Sequence, residues 1–251
     1  MSQERILSIT KKVGLVALAL AILPMGLASA QPSGEEVIAK YVEATGGAAA
    51  YKGIKNSVTK SSIMIVAMGM SATSTAYVDG NNAKSVMAID GFGEFLSGIK
   101  DGVPWSSNMM AGDEVLTGAA AKQAIAGSDP QLWLNWKNYY ASAENAGEET
   151  VGDAAAWKVV LSPAEGDSIT YWFAKDSGLI VQSEGPGLGG PALNVMSDYQ
   201  ASGGVSSPRK IVSEGANGAV EITVDSVENN TSIDAGVFDV PEAIATLMAA
   251  E

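Results

Sequence analysis

The chain has 251 residues, with 15 basic and 28 acidic side chains giving a net charge of −13, and it has neither cysteine nor histidine. The missing cysteine excludes disulfides, thiol nucleophiles and thiolate metal sites, and the missing histidine removes the commonest general base and zinc ligand. The acidic balance and the lack of any basic run beyond residue 12 make nucleic acid and anionic membrane surfaces poor partners.

Arg5, Lys11 and Lys12 precede an apolar run at residues 13–23, and Pro24 is followed by Ala28 and Ala30 in an A-x-A arrangement. This pattern predicts a secretory signal peptide over residues 1–30, cleaved after Ala30, and hence a periplasmic protein. The apolar run is shorter than the roughly 20 residues of a membrane span, so no stable membrane anchor is expected. Removing that leader takes Arg5, Lys11, Lys12 and Glu4 with it and carries the net charge from −13 to −15. The roughly 220 residues that remain suffice for one hydrophobic core, and a single domain over 31–251, a monomer, is expected.

The first element is an amphipathic helix over residues 33–45. Ser33 is the expected N-cap, with Glu36 three residues on to complete a capping box. Val37, Ile38, Tyr41 and Val42 follow at helical spacing, and Gly46-Gly47 ends the helix. From Lys55 onward β-branched residues predominate. Turn signals at Asp79-Gly80-Asn81-Asn82 and Lys100-Asp101-Gly102 predict antiparallel strands in a meander. Residues 112–143 interrupt it: Asp113 is a candidate N-cap for an Ala-rich helix stopping near Gly127, and a shorter helix carries Leu132, Trp133, Trp136 and Tyr140. Six strands follow, with "GPGLGGP" at 185–191 read as a loop, and the C-terminal segment from Pro241 predicts a short closing helix.

The hairpin "YWFAKDSGLIVQSE" has large aromatics on both faces of its first strand. Alternation puts Tyr171 and Phe173 on one face and Trp172 on the other. It also groups Trp157, Val159 and Leu161 on one strand, and Leu179 and Val181 on another. Each of these side chains either fills a close-packed core or lines a space left for an apolar ligand. Met68, Met70 and Met87 offer unbranched, adaptable side chains for either role. Trp133 and Trp136 fit a hydrophobic lid as well as a helix face docked on the sheet.

Polar groups give no comparable set. Asp79, Asn81 and Asn82 lack the ligand spacing of a calcium loop, "GPGLGGP" lacks the lysine and following helix of a phosphate loop, and no pair of carboxylates stands in a recognisable catalytic context. No enzyme activity, cofactor or metal is expected.

Four segments resemble the bacterial outer-membrane lipoprotein-sorting (LolA-like) family. "EEVIAKYVEATGGAAAYKGIKNS" is similar to its N-terminal helix and turn, and "WKVVLSP" with "ITYWFAKDSGLIVQSE" to its central hairpin. "MSDYQASGGVSSPRKI" and "SVENNTSIDAGVFDVPEA" resemble its later strand pair and its Phe-x-x-Pro ending. The resemblance implies an α+β, mainly β fold: a strongly curved, incompletely closed antiparallel β-barrel covered by helices. It also implies an apolar cavity that holds a lipid or the acyl chain of a lipoprotein for transport between envelope membranes, with envelope membrane proteins as further partners. The charged residues that mark lipoprotein carriers in the family have no counterparts that can be placed here. A non-catalytic envelope interaction module with a filled core is the alternative. Ligand-cavity candidates are Met68, Met70, Met87, Trp133, Trp136, Trp157, Val159, Leu161, Tyr171, Phe173, Leu179 and Val181.

Overall fold

A computed structural model describes residues 31–187 and 190–250. The proposed leader at residues 1–30 lies outside the described residues.

Helix α1 (Gly34–Ala44) forms as its sequence dictates. Ser33 Oγ accepts from the Glu36 amide, and the Glu36 carboxylate accepts from the Ser33 amide at 2.7 Å, so two otherwise orphaned donors are satisfied. The Ser33 amide, and then the Ser33 hydroxyl, both donating to it, hold the Glu36 carboxyl below its ordinary pKa. Val37, Ile38, Tyr41 and Val42 are its buried stripe. Beyond Gly46 the chain turns at once into α2 (Gly47–Gly53), which the glycine pair does not signal. Gly46 has φ 131°, and a Cβ there would lie 2.1 Å from the Gly204 carbonyl oxygen. The turn is clamped to the sheet by Ser206 N–H donating to the Thr45 carbonyl at 2.8 Å.

The meander then runs β1 (Asn56–Ile65), β2 (Met70–Asp79), β3 (Asn82–Ile89), β4 (Gly93–Lys100), β5 (Val103–Asn108) and β6 (Gly112–Val115). The predicted turns fall between β2 and β3 and between β4 and β5. At the second, Asp101 and Gly102 both have positive φ, the geometry that matches the twist of a tight hairpin. Helices α3 (Gly118–Ser128) and α4 (Leu132–Asn135) follow. The second half is β7 (Ser142–Val151), β8 (Ala154–Ser162), β9 (Ile169–Ala174), β10 (Ile180–Gly187), β11 (Gly190–Ser202), β12 (Val205–Gly215) and β13 (Gly218–Asn229), closed by α5 (Glu242–Met248).

All thirteen strands form one antiparallel sheet in the order β6-β5-β4-β3-β2-β1-β13-β12-β11-β10-β9-β8-β7. The pairing of β1 with β13 joins the two meanders at the centre. The outermost strands, β6 and β7, do not pair with each other, so the sheet is the expected open half-barrel with helices over it.

Two expectations need correction, and one strand is added. Asp113 lies in β6 rather than capping a helix, and the cap position of α3 is Thr117, whose side chain makes no capping bond. Residues 185–191 are not a loop: Gly185 pairs with Ala192, Pro186 with Pro191 and Gly187 with Gly190, so β10 and β11 continue almost to the tip. These prolines are tolerated because β10 beyond Glu184 and β11 before Ala192 pair only with each other, so each proline has an unpaired outer side. Residues 142–151, of which 144–151 carried no sequence assignment, form the edge strand β7 with a bulge between Asn145 and Gly147.

Replacing Ser33 with alanine is expected to lower stability by about 1 kcal/mol. Gly46→Ala should lower it further, because the new Cβ meets backbone and the φ is strained. Urea midpoints of the two variants, at unchanged slope, test this ranking; equal midpoints would remove the role assigned to the Gly46–Gly204 contact.

Candidate functional site: a half-filled interior

The concave side divides into two unlike halves. Beneath α1, the interior is filled. Val37, Ile38 and Tyr41 of α1 meet Val159, Leu161, Phe173 and Ile180 of the sheet, with Trp136 and Tyr140 closing the cluster. Trp133 packs against it from α4 and makes edge contacts with Tyr41, Tyr171 and Phe173, at ring-centre distances of 5.0, 4.9 and 5.9 Å. Such edge-to-face pairs each contribute about 0.5–1.5 kcal/mol beyond burial.

Polar tips in this half are mostly engaged. The Tyr199 hydroxyl donates to the Ile180 carbonyl at 2.9 Å. Thr45 Oγ1 donates to the Tyr41 carbonyl and lies 2.7 Å from the Tyr51 hydroxyl; its one proton being committed, the tyrosine is the donor. On the outer face Trp172 is buried under an ion pair. Its indole N–H donates to Glu149 at 2.8 Å, and Lys158 sits over the ring while holding the same carboxylate at 2.9 Å. These two bonds, Lys158 first, hold the Glu149 carboxyl below its ordinary pKa.

Seven of the twelve sequence candidates belong to the filled half: Val159, Leu161 and Phe173 are buried in it, as is Trp136, and Trp133, Trp157 and Tyr171 pack against it. Leu179 and Val181 are only half-buried, because the residue facing inward is Ile180. A bulge at Val181 makes the next inward position Ser183, so simple alternation fails there. Met70 and Met87 are half-buried on β2 and β3, and Met68 is exposed at the β1–β2 turn.

None of the twelve lines the main cavity. That cleft, of about 630 Å³, lies over the other half of the sheet. Strand pairing places its wall residues in two rows, Ser57, Val78, Ala83 and Ile99 in one and Thr59, Ala76, Ser85 and Ser97 in the next. Ala124, Gly127, Ser128 and Pro130, from the end of α3 and the turn after it, face them. The space exists because these side chains are small. Where β8 and β9 send in leucine, phenylalanine and tyrosine, β2, β3 and β4 send in mainly alanine and serine.

Its walls are largely apolar with scattered hydroxyls, and its two charged side chains are occupied. Lys84 Nζ donates to the Asp239 carbonyl at 2.8 Å. The Asp129 carboxylate accepts from the Tyr139 hydroxyl at 2.9 Å, from Asn135 and from the Gln131 amide. The arrangement suits shelter of an apolar chain with a hydrogen-bonding end. Among the described residues no three acidic side chains come together as a metal site, and no helix is long and apolar enough to cross a membrane.

By sequence, the chain matches no family model and no curated protein. By structure, it is similar to a LolA superfamily protein from Nitrosomonas europaea, with TM-score 0.54 and 12% identity over 84% of this chain and 99% of that one. A domain of the outer membrane lipoprotein-sorting type from Vibrio parahaemolyticus gives 0.53 and 12% over 82% and 97%. A DUF1329 family protein from Desulfovibrio piger gives 0.52 and 12% over 82% and 95%. The chain has the LolA-like fold. At this identity the likeness concerns the backbone, which is the open half-barrel and its helical cover; the wall residues named above are this chain's own.

Burial of the tyrosines in this LolA-like interior generates a pH prediction. Desolvation raises the pKa of Tyr41, Tyr51, Tyr140 and Tyr171, and pushes Tyr139 and Tyr199 up to about 12 from 10.0. A folded-state pKa above the unfolded value contributes stability that is complete below about pH 10 and is lost as pH rises through the folded values. In an alkaline titration most phenolate absorbance should therefore appear together with loss of ellipticity, above pH 10. Full ionisation near pH 10 with the fold intact would contradict the packed half.

Proposed function

We propose that the chain is a non-catalytic periplasmic carrier that holds a lipid, or the acyl chain of a lipoprotein, in the cleft beneath α3 for passage between envelope membranes. One observation carries this reading: a largely apolar cleft of about 630 Å³, with mainly small side chains on its β2–β4 wall, within a LolA-like half-barrel. Its volume falls in the range of small-molecule sites, about 300–1,000 Å³. Each CH₂ moved into it from water contributes about 0.8 kcal/mol, so burial alone drives uptake and no reaction is required. The proposed leader at residues 1–30 supplies export, and the likeness of the fold to a lipoprotein-sorting domain supplies the analogy to lipoprotein traffic.

Uneven anchoring of the cover supports the same reading. Helix α1 buries four large side chains plus Gly34, whereas α3 buries only Ala126 and lacks a side-chain N-cap bond. An element with few buried contacts opens at low free energy, which lets cargo enter without disturbing the aromatic half. The second reading, an interaction module, is favoured by the tight filling of that aromatic half.

Filling the cleft separates the two. The protein is expected to take up a fluorescent fatty acid, and Ala83→Phe or Ala76→Phe to weaken uptake at least tenfold while the far-UV spectrum and melting temperature stay near wild type. Mass spectrometry of natively purified protein should show a co-purifying lipid. A wild-type protein that takes up no acyl ligand, whether as purified or after delipidation, would sink the carrier and leave the module.

A further inference from the structure

Eight large apolar side chains are exposed among the described residues, and six of them lie at one end of the sheet: Met64, Val66, Met68, Phe92, Met109 and Met110. Strand order explains the gathering. The β1–β2, β3–β4 and β5–β6 turns all fall at the end of the sheet opposite the β2–β3 and β4–β5 turns that flank the cleft. Neighbouring turns touch: a Cβ on Gly93 would lie 3.3 Å from Met109 Sδ, and one on Gly218 would lie 2.7 Å from Ala67 Cβ, bringing the β12–β13 turn against the first.

These turns are built rather than loose. Asn108 Oδ1 accepts from the Met110 and Ala111 amides at 3.0 and 2.7 Å, fixing the turn that holds Met109 and Met110 outward, at 83% and 78% exposure. Phe92 N–H donates to the Ile89 carbonyl, Asp90 N–H to Ser71 and Gly69 N–H to Val66, so the backbone is satisfied within the rim itself. Patches of this kind on an otherwise acidic surface mark interaction sites, and methionine adapts to a partner's shape.

Charge identifies the partner class. Asp90, Glu94, Asp113, Glu114, Glu214 and Glu221 are exposed around these turns, and no lysine or arginine occurs at 64–70, 89–96, 106–115 or 213–221. An anionic bilayer would be repelled, as would a second copy of this chain. We propose that this methionine rim docks an amphipathic segment of a partner protein, apolar on one face and rich in lysine or arginine beside it. The apolar side chains supply contact area, and the carboxylates supply steering and orientation.

The rim is separate from the cleft, so its test does not depend on lipid uptake. The probe is a labelled amphipathic helical peptide of leucine and lysine alone, with its leucine–glutamate counterpart as control, titrated into the full chain by fluorescence anisotropy. The leucine–lysine peptide is expected to bind at least tenfold more tightly. The pair M109S/M110S, at positions where nothing is buried, should weaken it at least fivefold without changing the melting temperature. D113N/E114Q should weaken it and flatten its salt dependence, while Ala83→Phe leaves it unchanged. Binding of the leucine–lysine peptide that ignores the methionine pair would reduce the effect to general acidity and overturn the proposal. Insertion of the rim into phosphatidylcholine vesicles, lost in M109S/M110S, with no peptide binding, would overturn it in favour of a lipid surface.

Discussion

The insertion of Trp133 between α1 and the sheet is the contact on which the interior depends. Its ring meets Tyr41 on one side and Tyr171 and Phe173 on the other, so one side chain ties both covering helices to β9. With α4 pinned there, α3 bridges from β6 over strands whose inward side chains, mainly alanine and serine, leave a cleft beneath it. The packed half thereby acts as a fixed wall, and the open half is what remains when the cover stands at the height the aromatic half imposes. Close packing in one half and a cleft in the other are consequences of the same helix placement, because a sheet this wide cannot be equally near its cover everywhere.

An open sheet also has two edges to protect. β6 has four residues, carries Asp113 and Glu114, and packs against α5, whose Ile244 is fully buried. β7 is longer, and it carries Glu144, Glu148 and Glu149 with a bulge at Gly147. Short length, charge and bulges each discourage pairing with another sheet edge. The same devices that hide β7 from a sequence reader, charge and glycine in a strand, are what an edge strand requires.

Much of the frame was legible because local rules act locally. The capping box at Ser33 and Glu36, the stripe Val37–Ile38–Tyr41–Val42 and the turns at Gly80 and Gly102 follow from neighbours in sequence. Those rules give only a meander with helices; the open half-barrel was implied by the resemblance of four segments to the LolA-like family. What sequence could not place was anything set by a distant partner: the start of α3, deferred to Thr117 because β5 extends its pairing to Gly112–Val115, and the inward position on β10, moved to Ile180 by a bulge against β9. The cleft was missed for a different reason. Large aromatic and aliphatic residues are equally compatible in sequence with a filled core and with a cavity wall, and here they fill space. Emptiness is marked by alternate small residues, as at Ala76 and Val78, Ala83 and Ser85, on strands whose cover lies too far away to close on them.

The division of labour across the molecule follows from this inversion. Bulk on β8 and β9 makes a rigid wall against which α1 and α4 cannot slide without breaking ring contacts. Small residues on β2, β3 and β4 leave a cleft beneath α3, which buries only Ala126 and is tied to the β8–β9 connection by the exposed Lys122–Glu165 ion pair. The exposed methionines stand at the far end of those same strands, joined to the cleft by antiparallel hydrogen bonding along β1 to β5. The aromatic half holds the close-packed contacts, and the half that forgoes them holds the cleft.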